Sequence, residues 1–91
     1  MMGHHKHGLY SKVIIIIDAA HGIGAALAKE FAARGARVAV ADLDETQAKL
    51  VAQEIGGVAF KCNATVEADI QALVEGVEGE VGPSDIFFSN S

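Results

Sequence analysis

Two glycines and an aspartate of this 91-residue chain have the types and the spacing of a ligand site. Gly22 and Gly24 follow the strand-like run "KVIIII" and precede a helix-like segment. A glycine turn between a strand and a helix presents backbone N–H groups and the positive end of the helix dipole to an anion. Asp42 lies 18 positions after Gly24, at the end of a second strand-like run, "RVAVAD". There its carboxylate can accept hydrogen bonds from both ribose hydroxyls and repel a 2′-phosphate, so the spacing predicts a dinucleotide site.

The elements that must position these residues alternate between strand and helix patterns. The continuous β-branched run at 12–17 predicts a strand that is buried on both faces of a parallel sheet. Ile23, Leu27 and Phe31 then recur at helical spacing and predict a first helix, which Gly35 ends. The run "RVAVAD" is the predicted second strand.

The second half of the chain repeats this alternation. Asp44 and Gln47 can form a capping box that opens a second helix. "VAFKC" predicts a third strand, Thr65 is the predicted cap of a third helix, and "DIFFS" predicts a fourth strand. The predicted inner faces of these two helices consist of Ala48, Val51, Ala52 and Ile55, and of Ile70, Leu73, Val74, Val77 and Val81.

The predicted element order is βαβαβαβ. Right-handed crossovers then give an α/β fold with a Rossmann-type open parallel sheet, the N-terminal half of a doubly wound fold with strand order 3-2-1-4. Strand four would lie at the edge of the sheet, where unpaired backbone groups invite another strand. We therefore expect self-association, or pairing with a missing C-terminal half, through residues 86–88.

Composition narrows the possible partners. Twelve acidic residues against seven basic ones give a net charge of -5, and the basic residues form no run, so neither nucleic acid nor an anionic membrane is expected. The longest apolar run, at 13–17, has five residues, far short of a membrane span. The one cysteine, Cys62, excludes an intramolecular disulfide and is predicted to be a small core residue. It suits a reducing compartment, so we expect a cytoplasmic protein.

Residues 1–8, "MMGHHKHG", are set apart from the fold. They lack the apolar middle of a signal peptide. His4, His5 and His7 could bind a metal ion, but we interpret this segment as a leader or an expression-tag remnant and predict no metal site. The predicted Rossmann-type dinucleotide-binding half-domain spans 9–91.

Longer segments strengthen the interpretation. "IIDAAHGIGAALAKEFAARGARVAVADLDE" is similar to the opening unit of the short-chain dehydrogenase/reductase family, whose turn usually reads TGxxxGxG. "CNAT" stands where that family tends to have a DV-type pair, and "VGPSDIFFSNS" resembles the run into its NNAG motif. The resemblance covers 11–91, which corresponds to the N-terminal half of the family's fold.

The resemblance implies both a cofactor and a reaction. It implies NAD rather than NADP, because Asp42 ends strand two, and a parent activity of NAD-dependent oxidoreduction of an alcohol or carbonyl. The family's catalytic Asn, Ser, Tyr and Lys would lie beyond residue 91, so this chain alone is expected to have little or no activity. The dinucleotide contacts implied are Gly22, Ile23, Gly24, Asp42, Leu43, Asn63, Ala64 and Asn90.

The chain departs from the family's pattern within the motifs. Ile17 and Asp18 replace the Thr-Gly pair, and Asn63 replaces an aspartate, although its carbonyl can still accept from an adenine amino group. Ser89-Asn90-Ser91 stands where Asn-Asn-Ala is usual. A carboxylate ~5 Å from a phosphate charge costs about 3 kcal/mol at an effective dielectric near 20. We therefore expect Asp18 to weaken NAD binding.

Two alternatives remain open at this point. A strand ending in Asp18, followed by DxxxGxG and then an acid that closes strand two, also resembles class I S-adenosylmethionine-dependent methyltransferases. Their glycine loop approaches an adenosine ligand that has no phosphate. The other alternative is a non-catalytic folding or interaction module with no ligand, in which Asp18 is a solvated loop residue or a local cap. His21 is expected to be an exposed loop residue, with a contact to phosphate or ribose as its alternative role.

Overall fold

The computed structural model describes residues 10–88 of the chain. Seven elements alternate strictly between strand and helix, as the hydrophobic patterns predict. Residues 1–8 and Asn90 lie outside the described residues. The elements are β1 (Val13–Ile17), α1 (Gly22–Ala33), β2 (Arg37–Asp42), α2 (Glu45–Ile55), β3 (Val58–Lys61), α3 (Glu67–Glu80) and β4 (Asp85–Phe88).

The four strands form one parallel sheet in the order β3-β2-β1-β4. This order confirms the predicted Rossmann-type α/β fold. Because all strands run in the same direction, their carboxyl ends meet at one edge of the sheet, where ligands bind in open α/β folds. The loops after Ile17, Asp42 and Lys61 therefore lie side by side at this edge.

Hydrophobic cores cover both faces of the sheet. Ile14 and Ile16 of β1 pack in the core beneath α1 and α2, whereas Ile15 and Ile17 pack in the core beneath α3. This explains why β1 is a continuous apolar run rather than an alternating one. Cys62 is 1% exposed in the α3 core, which confirms its prediction as a core residue.

The predicted first helix is confirmed as α1, and its fully buried positions are small residues. Ile23 is 63% exposed, whereas Leu27 and Phe31 pack partly buried against the core. The buried positions of α1 are Gly24 and Ala28. At Gly24 a side chain would collide with the chain that leaves β1, because its Cβ would lie 2.2 Å from the Asp18 carbonyl oxygen.

The starts of the other two helices differ in how well they were predicted. Asp44 caps α2, and its Oδ1 accepts a hydrogen bond from the Gln47 N–H at 3.1 Å, as the capping box predicts. The prediction that Thr65 caps α3 was wrong, because Val66 occupies the N-cap. Instead, the Thr65 N–H and hydroxyl donate to Asn63 Oδ1 at 3.0 and 2.7 Å. Such a local turn competes with helix capping.

Candidate functional site

The loop from β1 to α1 has an unusual backbone. Asp18 and Gly22 both have positive φ, at 65° and 58°, and the Ala19 N–H donates to the Ala41 carbonyl at 3.1 Å. Glycine adopts this left-handed region freely, and aspartate is one of the few other residues that tolerate it. The conformation of the loop therefore explains why glycine is usual at the place that Asp18 holds.

Gly24 allows α1 to start directly against this loop. A Cβ at Gly24 would lie 2.2 Å from the Asp18 carbonyl oxygen and 2.9 Å from the Ala19 Cα. The first turn of α1 contains no acidic residue. Its N–H groups and the positive end of its dipole therefore lie beside the loop with no carboxylate of that turn to compete for an anion.

Asp42 joins the glycine loop to the start of α2. Its Oδ2 accepts a hydrogen bond from the Ala20 N–H at 3.0 Å, and its Oδ1 accepts one from the Asp44 N–H at 2.9 Å. Each carboxylate oxygen has a second lone pair, which can accept from a ribose hydroxyl. The sequence correctly predicted a carboxylate at the end of β2, but it did not predict the hydrogen bond between that carboxylate and the glycine loop.

His21 forms a second link between the same segments. It is the N-cap residue of α1, and its Nε2 lies 3.1 Å from Asp44 Oδ2. Both side chains are exposed, so the expectation of an exposed His21 is confirmed. The pKa of Asp44 is lowered, first by the Gln47 N–H and then by His21. This pair was not predicted, because 23 residues separate its members and only the fold brings them together.

The loop after β3 lies at the carboxyl edge of the sheet, next to the loop after β2. The Asn63 N–H donates to Asp69 Oδ2 at 3.1 Å, and Asn63 Oδ1 accepts both hydrogen bonds from Thr65. The two lone pairs that we expected to face an adenine amino group therefore already have donors. Ala64 packs partly buried beneath α3, and Leu43 is 57% exposed.

The charge of Asp18 acts on the α3 side of the sheet edge. The pKa of the Cys62 thiol is raised, chiefly by burial and then by the negative charges of Asp69 and Asp18. Thus Asp18 adds its charge to an edge that already carries Asp42 and Asp69. An anionic ligand at this edge would meet these charges together with the N–H groups of the loop and of α1.

Seven of the eight predicted contact residues lie at the end of β2, in the loops after β2 and β3, or in the first turn of α1. Asn90 lies outside the described residues. The seven residues are Gly22, Ile23, Gly24, Asp42, Leu43, Asn63 and Ala64.

Within residues 10–88, no helix is both long and apolar enough to cross a membrane.

Comparison with known proteins gives the class that this fold and loop arrangement represent. The family profile described as enoyl-(acyl carrier protein) reductase matches residues 19–91. The short-chain dehydrogenase reductase ATA1 of Arabidopsis thaliana is 45% identical over 83 residues, which are 91% of this chain and 30% of that protein. The chain belongs to the short-chain dehydrogenase/reductase family of oxidoreductases.

Two further relatives are consistent with this membership. Galactitol 2-dehydrogenase of Agrobacterium fabrum is 42% identical over 85 residues, which are 91% of this chain and 33% of that protein. The crystal structure of 3-ketoacyl-(acyl-carrier-protein) reductase from Brucella melitensis, complexed with NADH, has a TM-score of 0.83 at 36% identity and covers 87% of this chain and 34% of that one. The chain thus spans about a third of the length of these relatives. These matches do not favour the methyltransferase or the ligand-free alternative.

Proposed function

We propose that this chain binds NAD(H) at the carboxyl edge of its sheet, as the dinucleotide-binding portion of an oxidoreductase. The observation that supports this most strongly is the position of Asp42. Its carboxylate ends β2, holds the Ala20 N–H of the glycine loop, and retains acceptor capacity for ribose hydroxyls. The start of α1 next to the loop supplies N–H groups for the pyrophosphate. The remaining proposed contacts are Ile23, Gly24, Leu43, Asn63, Ala64 and Asn90. Asn63 would accept from the adenine amino group in place of a Thr65 donor, which its oxygen binds here.

The same carboxylate supports a preference for NAD over NADP. A 2′-phosphate would replace one hydroxyl with a dianionic group next to Asp42, and Asp44 lies two residues further along the chain. Negative groups held next to each other repel strongly. The described hydrogen-bond partners of the Asp42 and Asp44 carboxylates include no lysine or arginine.

Asp18 is proposed to weaken this site without changing its ligand. The carboxylate follows β1 directly and carries its charge at the edge where the dinucleotide would bind. Its backbone conformation is the one that a glycine would adopt, so the loop keeps its shape. The expected result is NAD(H) binding of reduced affinity.

For the whole protein we propose oxidoreduction of an alcohol or carbonyl, as the name of galactitol 2-dehydrogenase suggests. The 91 residues by themselves are expected to show little or no turnover. We also propose that the outer edge of β4 pairs with a further strand, from a C-terminal half or from a second copy, because β1 is its only neighbour among the described strands. The single buried Cys62 suits the cytoplasmic location that we expect.

Calorimetric titration with NADH, NADPH and S-adenosylmethionine tests the proposal. We expect saturable binding of NADH, weaker binding of NADPH, and no heat of binding with S-adenosylmethionine. Binding of S-adenosylmethionine alone would move the site to the methyltransferase class. No binding of any of the three by the folded chain would overturn the proposal.

A further inference from the structure

Two ion pairs bridge α1 and α2, and only one of them contacts the glycine loop. His21 and Asp44, the N-cap residues of the two helices, lie 3.1 Å apart. Further along the same helices, Lys29 Nζ lies 3.3 Å from Glu54 Oε1. The side chains of both pairs are about half exposed or more. The second pair is therefore a natural control for the first.

The His21–Asp44 pair closes a ring of contacts around the loop. Asp42 accepts from the Ala20 N–H with one oxygen and from the Asp44 N–H with the other. Asp44 Oδ2 in turn contacts the imidazole of His21, the residue that follows Ala20. The loop is thus tied to the start of α2 by two links, one through Asp42 and one through His21.

We propose that His21 is a positioning residue for the nucleotide site, which acts through Asp44 rather than on the ligand. The imidazole contacts Asp44 and keeps the loop in the arrangement that presents its N–H groups to the dinucleotide. When this contact is removed, the loop is held less firmly and NADH affinity falls. This inference rests on the proposed function.

The charged groups around His21 are few and can be controlled separately. Asp44 faces it from the start of α2, and Asp42 stands behind Asp44 at the end of β2. Lys29 and Glu54 line the same cleft between the helices, but they pair with each other. The pKa of Asp44 is lowered, so this partner stays ionised across the range in which imidazole titrates.

The test is a double-mutant cycle on the NADH dissociation constant at one fixed pH. The variants are His21→Gln, Asp44→Asn, the two combined, and the control Glu54→Gln, which removes the charge of the other ion pair. Asparagine caps helices as well as aspartate does, so Asp44→Asn keeps the start of α2. Because this variant also removes a negative charge, the readout is the effect of His21→Gln with and without it, rather than either constant alone.

We expect His21→Gln to raise the dissociation constant by about twofold to fivefold in the wild-type chain and in the Glu54→Gln background, the size typical of an exposed ion pair. In the Asp44→Asn background the same change should have almost no effect. An equal effect in that background would show that the imidazole acts directly on the ligand and would overturn the positioning role. No effect of His21→Gln in the wild-type chain, with NADH bound, would overturn this inference alone.

Amide hydrogen exchange supplies a second readout that does not require NADH. The Ala20 amide, which donates to Asp42, should exchange about twofold to fivefold faster in His21→Gln and in Asp44→Asn than in the wild-type chain and in Glu54→Gln. Unchanged exchange in both variants would overturn the inference. Faster exchange as expected, in a chain that binds no NADH, would overturn the proposed function and with it the role of His21 in ligand binding.

Discussion

The Asp42 carboxylate accepts a hydrogen bond from the backbone N–H of Ala20, 22 residues earlier in the chain, at 3.0 Å. This contact fixes the turn after β1 to the end of β2. One residue thus supports the loop and offers acceptors to a ribose. The double role makes it possible to separate binding from folding by measuring both in the same variants.

Replacing Asp42 with asparagine should weaken NADH binding and also lower stability. The amide has one acceptor oxygen where the carboxylate has two, so one of the two backbone N–H groups loses its partner. We expect a loss of about 1–2 kcal/mol in the free energy of unfolding. The matched control is Asp85→Asn, which makes the same change at an exposed position at the amino end of β4. An Asp42→Asn chain that binds NADH as the control does would place the ribose elsewhere.

Replacing Asp18 should tighten NADH binding by removing a negative charge. Asp18→Asn keeps the size of the side chain and the tolerance for positive φ, and Asp18→Gly removes the side chain altogether. If charge is the cause, both should tighten binding, by about tenfold and at most about a hundredfold. Tightening by glycine alone would assign the effect to bulk instead of charge. Unchanged or weaker binding in both variants would contradict the proposed impairment.

Replacing Gly24 with alanine should disrupt the loop and its site. The new Cβ would lie 2.2 Å from the Asp18 carbonyl oxygen, a backbone atom that cannot move without breaking the turn. We expect a destabilisation of about 3 kcal/mol or more. The control, Gly79→Ala in α3, has no atom within 4 Å of the new Cβ and should stabilise the chain, by about 0.5–1 kcal/mol. Equal unfolding midpoints for the two variants would refute the close approach.

The buried thiol of Cys62 predicts a loss of stability at alkaline pH. Its pKa is raised in the folded chain, chiefly by burial. The unfolded chain therefore releases the thiol proton first, near the usual value of about 8.5, and stability falls as the pH rises above that value. Between about pH 8 and about pH 10, the melting temperature of the wild-type chain should fall more than that of Cys62→Ala. Parallel curves for the two chains would contradict this prediction.

The edge of β4 predicts association of the purified chain at high concentration. β4 pairs with β1 at residues 85–88, and no further strand covers its other side among the described residues. Because the N–H groups of successive residues point to opposite edges of a strand, either Phe87→Pro or Phe88→Pro removes a donor from the outer edge, and that variant should reduce association. Light scattering measures the mass, and circular dichroism checks that the variant keeps its helices. A wild-type chain that stays monomeric at every concentration would argue against pairing at this edge.

The fold was predictable because strong local signals agree with one another. The β-branched run of β1, the helical periodicities and the glycines after α1 and α2 each mark an element, and right-handed crossovers then give the strand order. The fully buried positions of α1 could not be predicted, because periodicity detects large apolar residues. The residues buried there are Gly24 and Ala28, and at Gly24 the close approach to the loop requires the absence of a side chain.

The candidate site was predictable only in outline. The positions of Gly22, Gly24 and Asp42 follow from the spacing of strand, turn and helix. The hydrogen bond from Ala20 to Asp42 and the His21–Asp44 pair could not be predicted, because each joins segments more than 20 residues apart whose distance depends on the register of β1 and β2. The hydrogen bonds of Asn63 were not predicted for a different reason, since they form in a local turn to Thr65 where the sequence suggested a helix cap.

The most direct test of the account is a titration of the isotope-labelled chain with NADH, followed by the backbone amide shifts. We predict saturable shifts at Ala20, Gly22, Asp42 and Leu43, with no change at Gly79 on the far end of α3. Such a pattern would place the dinucleotide on the loop that Asp42 braces. A folded chain whose loop amides do not shift, or whose saturable shifts lie away from the carboxyl edge of the sheet, would contradict the central claim.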